Sequence, residues 1–541
     1  MKRRVMSGLL VATMAVSAFA GCSKDGVDIQ TTTADSKKAE VETTTEAVTE
    51  PQTEAQTEAV ETTAQETTQA KPEVINITYW HSQDEGFMEL MCEKFNALHS
   101  DIMVTQKYVY DLSAALQDAE AGDSLPDIIS CSDVDLVLAN AYWIDISGYY
   151  SADAETKNLL PTINEYGIGC FDTSMRLAVP TDFTPNAIFI DRNVLEGFEL
   201  DMPDTDWTWD EMIELVKNTT FSDRVGMKYY GLAEASSLYS QYEISAYDPA
   251  QRAVKGMYGF DGETFDFTKW AEGADELAEL KRDGYVAPAQ STDANEEWTG
   301  DYNTWFGATG HVAVMSGALW TYQNVWALDG FQEEHNLDIV PYVVPGVLNG
   351  GLHDTMAIMS MGGITNTCLY PEEAYEVLKF MSYGTDGWNA RMDIYEDDSL
   401  VNSQGIAFAN SCITAPTTLD EGVWARYRGL FKSSEENASY WDAYFKNIVR
   451  PVPYGYSQIV GYWSFVDQYM SSKSVYEAIE AGEVSASDFA EEATRMADIY
   501  HAGTMLYYFG ENSNYEHVYG QILSDEEIAG FQKTIEGVDF F

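Results

Sequence analysis

Positively charged residues are scarce in this sequence, which has 30 lysines and arginines against 88 aspartates and glutamates and a formal net charge of -58. Nucleic-acid affinity depends mainly on lysine and arginine neutralising phosphates, so DNA, RNA and anionic lipid head groups are disfavoured as partners. Hydrophobic residues are numerous enough to form a core, because they make up 45% of the sequence. At 541 residues the chain is also too long for one compact domain of about 100–200 residues.

Cysteine is sparse as well, with six residues and no pair at the C-x-x-C spacing of a zinc knuckle or redox motif. Six cysteines are too few for a disulfide scaffold in a chain of this length. One of them, Cys22, lies in an N-terminal motif of its own. The other five are expected to be buried free thiols that behave as small apolar side chains, at Cys92, Cys131, Cys170, Cys368 and Cys412.

Catalytic and metal-binding motifs are absent too. The sequence has no G-x-S-x-G elbow, no G-x-x-x-x-G-K-[ST] phosphate loop, no H-E-x-x-H and no G-x-G-x-x-G after a strand. No two histidines have i, i+4 spacing, and the acidic clusters at 261–263 and 393–398 lack the ligand spacing of a calcium loop. We therefore predict a protein that is not an enzyme and has no cofactor or metal site. Because 88 acidic residues offer many carboxylate pairs, a surface glycoside hydrolase is the enzymatic alternative.

The N-terminus has the pattern of an export signal. Lys2, Arg3 and Arg4 precede an uncharged and mostly apolar run over residues 5–20. Residues 18–22, Ala-Phe-Ala-Gly-Cys, resemble the bacterial lipobox, in which the cysteine is diacylated and becomes the new N-terminus. The resemblance predicts a lipoprotein signal peptide at 1–21 and lipid attachment at Cys22. The alternative is ordinary secretion, in which Cys22 carries no lipid.

Residues 22–73 differ sharply in composition from the rest of the chain. They include thirteen threonines, and no aromatic residue occurs between Phe19 and Tyr79. Such a segment has nothing to bury, so it is predicted to be a disordered tether. Beyond the N-terminal signal, no uninterrupted apolar run is long enough to span a bilayer. The body is therefore expected outside the cytoplasm, held on the outer face of a bacterial membrane by the lipid alone.

The body, residues 74–541, alternates strand and helix patterns. Residues 74–80 alternate as a strand does, and the next apolar residues recur at helical spacing, at Phe87, Met91, Phe95 and Leu98. Residues 126–129 make a second short apolar strand. This alternation predicts an α/β fold with parallel layers.

Two further helix starts are marked by capping signals. Thr208 and Glu211 make a capping box, which accounts for the flanking Trp207 and Trp209 as structural residues. Pro371 precedes two glutamates at the start of another apolar helical pattern. Both helices are expected to belong to the folded body.

The order of short motifs along residues 74–515 is more specific than any one of them. In chain order they are Tyr79-Trp80-His81, the G-D-S-L-P-D-I-I run at 122–129, Asp145-Ile146-Ser147, the strand pattern at 186–191, the W-T-W-D-E motif at 207–211, the G-H-V-A-V-M run at 310–315 with Trp320, and Gly461-Tyr462-Trp463. This order resembles that of the family 1 extracellular solute-binding proteins, the maltose-binding-protein-like receptors of ABC importers.

The resemblance implies a two-lobed periplasmic-binding-protein-like fold of type II, with ligand held between lobes that close about a hinge. The lobes are expected to be discontinuous. Lobe 1 would hold about 74–181 and 350–412, and lobe 2 about 183–345 and 418–541. The crossings are expected near 180–182, 345–354 and 412–418.

We predict a sugar or oligosaccharide as the ligand. A neutral sugar has apolar ring faces and hydroxyl edges, so its receptor needs aromatic platforms beside carboxylates. Aromatic and acidic side chains follow the predicted strands, where ligands bind in α/β sheets. Trp320 and Trp463 lie where members of the resembling family place sugar-stacking aromatics. The candidate contacts are Trp80, His81, Asp84, Glu85, Asp133, Asp135, Asp182, Trp320 and Trp463.

The resulting hypothesis is a monomeric receptor whose partners are a small solute and the membrane subunits of an ABC importer. The acidic body leaves a cationic solute, such as a polyamine or basic peptide, as an alternative ligand. Two other classes of function stay open, namely the glycoside hydrolase and an adhesive or structural surface lipoprotein.

Overall fold

A computed structural model of the chain describes residues 74–509, apart from 123–124, 133, 135–136, 138–141, 162, 164–175, 223, 225–227, 234–235, 263, 288–310, 329, 349–351, 432–433, 450–451, 454–458 and 460. The predicted signal peptide at 1–21, Cys22 and the predicted tether lie outside the described residues, as does Cys170. Within the described part, no helix is both long and apolar enough to cross a membrane.

The described strands, in chain order, are β1 (Ile75–His81), β2 (Ile102–Tyr108), β3 (Ile128–Cys131), β4 (Val179–Asp191), β5 (Phe221–Ser222), β6 (Lys228–Leu232), β7 (Val312–Ala318), β8 (Ile339–Tyr342), β9 (Met356–Ile364) and β10 (Val452–Pro453). The strands predicted at 74–80 and 126–129 are confirmed as β1 and β3. Their bounds differ from the prediction by one or two residues.

The described α-helices are α1 (Glu85–Leu98), α2 (Leu112–Gly122), α3 (Ser147–Ala152), α4 (Arg192–Gly197), α5 (Trp209–Thr219), α6 (Ser236–Ser245), α7 (Pro249–Arg252), α8 (Thr268–Arg282), α9 (Leu319–Thr321), α10 (Phe331–His335), α11 (Pro371–Ser382), α12 (Thr385–Tyr395), α13 (Glu421–Gly429), α14 (Ala438–Asn447), α15 (Tyr462–Phe465), α16 (Val475–Ala481) and α17 (Ala486–Phe509). Short 3₁₀ turns occur at Ala154–Asn158, Met257–Gly259 and Phe408–Asn410, and π turns at Tyr322–Trp326 and Val466–Ser471.

Local signals explain several of these bounds. Helix α5 begins with the predicted capping box, in which Thr208 accepts from the Glu211 backbone and Glu211 accepts from the Thr208 backbone. Trp207 and Trp209 are both buried, and Trp207 Nε1 donates to the Val343 carbonyl at 3.0 Å. Their structural role is confirmed. Helix α11 begins at Pro371, as its sequence predicts.

The strands form one mixed sheet in the order β2-β1-β3-β9-β4-β7-β6-β5, with β10 beside β9 and β8 beside β4. Strands β1, β2 and β3 are parallel, whereas β9 is antiparallel to both β3 and β4. Helices cover the sheet. The α/β fold is the predicted one, but the prediction of parallel layers is wrong for the whole sheet, because β9 pairs antiparallel with β3 and β4 and comes from a part of the chain far from both.

Strand β4 is the crossing strand of this sheet. Its residues 179–185 pair with β9, and its residues 186–191 pair with β7 and β8. All thirteen residues are buried. Two hydrophobic clusters meet at this strand, so that Phe183 packs in the first and Ile188 in the second.

Candidate functional site

The carboxyl ends of β1 and β3 lie at one edge of the sheet, level with the middle of β4. Trp80 of β1 pairs with Ile129, and β3 ends at Cys131 opposite Met361 of β9. Ser360, which precedes Met361 on β9, pairs with Asp182 of β4. Asp182 is therefore beside the end of β3, at the edge where open α/β sheets bind ligands.

A second strand end approaches β4 from the other direction. Strand β7 is antiparallel to β4 and ends at Ala318, opposite Asn186. Trp320 follows two residues later, in α9. The distance along β4 from Asp182 to Asn186 is about 13 Å at 3.3 Å per residue. The two groups of strand ends therefore face each other across a short stretch of one strand.

That stretch of β4 has a polar face. Asp182, Thr184 and Asn186 alternate, so their side chains point to the same side of the strand. On the paired strand β9, Ser360 and Ile358 lie opposite Asp182 and Thr184, and both are partly exposed, unlike their buried neighbours. This polar face is the floor of the candidate site.

Asp182 belongs to a buried hydrogen-bond network. Gln83 Nε2 donates to its Oδ2, and the Thr181 hydroxyl lies 3.4 Å from the same oxygen. Thr181 Oγ1 also lies 2.7 Å from Ser130 Oγ on β3. Burial raises the pKa of the Asp182 carboxyl, while the nearby Arg391 guanidinium and the Gln83 hydrogen bond oppose that rise. The network fixes the position of Asp182 relative to the end of β3.

The pairing register of β4 is interrupted at this network. The register between β4 and β9 shifts between Pro180 and Asp182, which leaves Thr181 as the extra residue of a β-bulge. Bulges redirect side chains and increase local twist, and they are frequent beside functional sites. Here the bulge brings Thr181 to Ser130 while Asp182 faces Gln83.

Trp80 and His81 end β1 but are mostly enclosed by protein. Trp80 is 7% exposed, and Lys107 Nζ lies 4.2 Å from its ring centroid. His81 Nε2 lies 2.9 Å from Gln106 Oε1, and its ring stacks on Tyr79. Burial lowers the pKa of His81, and the contact with Gln106 opposes that shift. Ligand contact by Trp80 or His81 stays a prediction.

Asp84 and Glu85 lie beyond β1 at the start of α1. Asp84 is the N-cap of α1 and accepts from the Phe87 backbone at 3.0 Å. Glu85 is exposed in the first turn. Asp84 thus has a structural function as the cap of α1. A ligand contact by either carboxylate stays a prediction.

The remaining candidates are described only in part. Trp320 is partly exposed, directly after the end of β7. Trp463 lies in α15, but its side chain is outside the described part of the structure, and Asp133 and Asp135 lie entirely outside it. The structure therefore has Asp182 on β4 and Trp320 two residues after the end of β7, and ligand contact by either stays a prediction.

Sequence reasoning missed two residues at this edge. Gln83 forms the hydrogen bond to Asp182, and Tyr110 stands exposed just beyond the end of β2. Neither carries a motif. The only available signal for Tyr110 was that Tyr108 and Tyr110 continue the β2 alternation up to Asp111, the residue before α2.

A family model for bacterial extracellular solute-binding proteins matches residues 80–382, which is more than half of the chain. The chain belongs to this family. The prediction made from the order of motifs is confirmed. A search of curated proteins finds no significant match.

Solved structures of other solute-binding proteins have the same fold. A cyclic alpha-maltosyl-1,6-maltose binding protein from Arthrobacter globiformis is 17% identical with a TM-score of 0.55, and the match covers 79% of this chain and 98% of that one. The sugar-binding protein MalE from Xanthomonas citri is 14% identical with a TM-score of 0.57, over 79% and 98%. An ABC substrate-binding protein from Listeria monocytogenes in complex with cycloalternan is 15% identical with a TM-score of 0.54, over 79% and 98%. The two-lobed α/β fold expected for this solute-binding protein is thereby confirmed.

Proposed function

We propose that this solute-binding protein is a lipid-anchored receptor of an ABC importer that binds a sugar or oligosaccharide between its two lobes. The observation that carries the proposal is the convergence of strand ends on the polar face of β4. Strands β1 and β3 end beside Asp182, and β7 ends beside Asn186. Ligands of α/β sheets bind beyond such strand ends.

Side-chain chemistry supports a sugar as the ligand. The face of β4 and β9 offers a carboxyl group, an amide and two hydroxyls, at Asp182, Asn186, Thr184 and Ser360, which suit hydrogen bonds with sugar hydroxyls. Trp320 adds a partly exposed indole at one end, where a ring face can stack. Two of the three similar structures are named as proteins that bind a sugar or a cyclic saccharide, and the third is a complex with cycloalternan. These names agree with the proposed ligand class.

The proposed ligand contacts come from both groups of strand ends. Lobe 1 would consist of about 74–181 and 350–412, and lobe 2 of about 183–345 and 418–541. The contacts would be Trp80, His81, Asp84, Glu85, Asp133, Asp135 and Asp182 around the first group, with Trp320 and Trp463 around the second.

Binding would work without chemistry on the ligand. Ligand bridging both groups of strand ends would stabilise the closed arrangement of the lobes, because contacts with both lobes exist only when they approach each other. The importer's membrane subunits would then distinguish loaded from empty receptor. After removal of 1–21, the lipid on Cys22 and the tether at 22–73 would keep a monomeric body near those subunits on the outer membrane face.

A thermal-shift panel tests this function. Protein lacking residues 1–22 is heated with mono- and oligosaccharides, polyamines and short peptides, since a ligand that binds only the folded state raises the midpoint. A rise with a saccharide, and no turnover of that saccharide on long incubation, is the expected result. A rise with a polyamine or peptide alone would replace the sugar assignment, and release of shorter sugars would favour the glycoside hydrolase.

A further inference from the structure

Tyr110 is the most exposed aromatic side chain among the described residues, with 78% of its surface accessible. The next, Phe221, is 51% exposed and packs against Phe198 and Tyr229 at ring-centroid distances of 6.3 and 6.5 Å. No ring partner is found for Tyr110 within the described part of the chain. An aromatic ring left in water forgoes the stabilisation that its burial would provide.

The backbone on both sides of Tyr110 is held in place. The preceding Val109 is buried, and its backbone N–H donates to the His81 carbonyl at 2.8 Å. The following Asp111 accepts from the Ala114 backbone at 2.9 Å at the start of α2. Tyr110 is therefore an exposed ring on a fixed base, which is the property of a binding platform.

The groups around Tyr110 suit the hydroxyls of a neutral sugar. Tyr110 follows Tyr108 of β2, which pairs with His81 at the end of β1. The chain continues from His81 to the carboxylates of Asp84 and Glu85 at the start of α1. Carboxylates and phenol oxygens accept hydrogen bonds from hydroxyls. The same carboxylates repel an anionic ligand, so acidic sugars are disfavoured here.

Tyr110 follows β2, the strand at one end of the sheet, whereas β4 lies further inside the sheet. The strand order β2-β1-β3-β9-β4 puts four steps between β2 and β4. At 4.8 Å per step this is about 19 Å. A single sugar ring on the polar face of β4 is too small to reach Tyr110, whereas an oligosaccharide lying along the edge can contact both.

We propose that Tyr110 is an outer stacking platform for a distal ring of a neutral oligosaccharide whose first ring lies on the polar face of β4. This inference rests on the proposed sugar-binding function and adds that the receptor selects for ligand length. Tyr110 would be a specificity-determining residue, because it adds affinity only for ligands long enough to reach β2.

Calorimetric titration of matched short and long sugars tests the inference. The probes are maltose and maltotetraose, cellobiose and cellotetraose, and xylobiose and xylotetraose, titrated into wild type, Tyr110→Ala, Tyr110→Phe and Phe221→Ala. Phe221 is the control, because β5 lies at the opposite end of the strand order. Tyr110→Ala should weaken the preferred tetrasaccharide about tenfold and leave the disaccharide unchanged, as expected for the loss of one stacked ring. Tyr110→Phe should keep most of the affinity, and Phe221→Ala all of it.

The outcomes separate the inference from the proposed function. Tetrasaccharide affinity that is unchanged in Tyr110→Ala overturns the inference and leaves the sugar receptor intact, as does equal loss for both sugar lengths. If wild type binds no saccharide in these titrations or in the thermal-shift panel, the proposed function fails and the inference fails with it. The melting midpoint of Tyr110→Ala should equal that of wild type, because the ring is exposed.

Discussion

Gln83, in the loop after β1, donates a hydrogen bond to the buried carboxyl group of Asp182 on β4, 99 positions later in the sequence. The bond joins the strand end that carries Trp80 and His81 to the strand that runs between two hydrophobic clusters. The sheet edge and the crossing strand are therefore held together at the candidate site.

Gln83→Ala should destabilise the protein by about 1–2 kcal/mol, because it leaves the buried Asp182 without this donor. Urea unfolding measures the change. Gln117→Ala is the control, since that glutamine is exposed on α2 and should change stability by less than about 0.5 kcal/mol. Equal effects of the two substitutions would contradict a stabilising role for the hydrogen bond.

Glu243 should make stability depend on pH in the neutral range. It is fully buried, and burial raises its pKa to about 8, although the Gly259 N–H, which donates to Oε1 at 2.6 Å, lowers it. The folded protein then holds a proton that the unfolded chain releases above its ordinary pKa. The stability contributed by that proton is present at low pH and is lost as pH rises from about 4.5 to about 8.

Glu243→Gln tests this relationship, because glutamine has the shape of the neutral carboxyl group and does not titrate. Relative to wild type, the variant should gain about 3 kcal/mol between pH 5 and pH 8. Urea unfolding across that range measures the gain. The exposed Glu89→Gln on α1 serves as control and should give a curve parallel to wild type. Parallel curves for Glu243→Gln as well would show that Glu243 ionises normally.

Trp320→Ala and Trp463→Ala should each weaken binding of the preferred sugar by about 2 kcal/mol, or roughly 30-fold, because each removes a central aromatic anchor. Calorimetric titration measures affinity, and the melting midpoint reports stability. The matched control is Trp209→Ala, which removes a buried ring from the second cluster and should lower the midpoint. A lower midpoint with unchanged affinity in the first two variants would assign those tryptophans to packing.

Ligand should make the protein more compact if the lobes close about crossings near Asp182 and Pro345. Small-angle scattering with saturating sugar should give a smaller radius of gyration than without it. Trp320→Ala at a sugar concentration too low to saturate it provides the control and should keep the larger radius. A wild-type profile that sugar leaves unchanged would argue against a hinged receptor.

Cys22→Ala should release the protein from the membrane, because the lipid is the predicted anchor. Membrane fractionation followed by immunoblotting measures the distribution. Cys368→Ala, which changes a partly buried thiol of the body, is the control and should sediment as wild type does. Sedimentation of the Cys22 variant with the membrane would mean that another part of the chain holds it there.

Elements defined by neighbouring residues could be predicted from the sequence. The β1 alternation, the helical spacing after Phe87 and the Thr208–Glu211 capping box each depend on a few consecutive residues, and all three appear in the structure. The position of β9 depends on pairing with β3 and β4 across more than 170 residues. No local pattern encodes that pairing, so the sequence predicted layers but not the strand order.

The residues of the candidate site also divide into those that the sequence predicted and those that depend on distant contacts. Asp182 was proposed from the expected crossing near 180–182 and Trp320 from the family resemblance, and the structure has Asp182 on β4 and Trp320 after β7. Ligand contact by either residue stays a prediction. The Gln83 contact depends on how the loop after β1 meets a distant strand, and Tyr110 is notable only because its ring is exposed. Exposure and distant contacts are properties of the folded chain.

The insertion of β9 between β3 and β4 also constrains when the sheet can form as the chain is synthesised. Until residue 364 has emerged, β3 and β4 each lack the neighbour that joins them, so the native sheet cannot be completed by the preceding segment alone. Long-range pairing of this kind forms slowly, because a large loop must close first. A chain with this topology therefore completes its central sheet only after residues 356–364 have been synthesised.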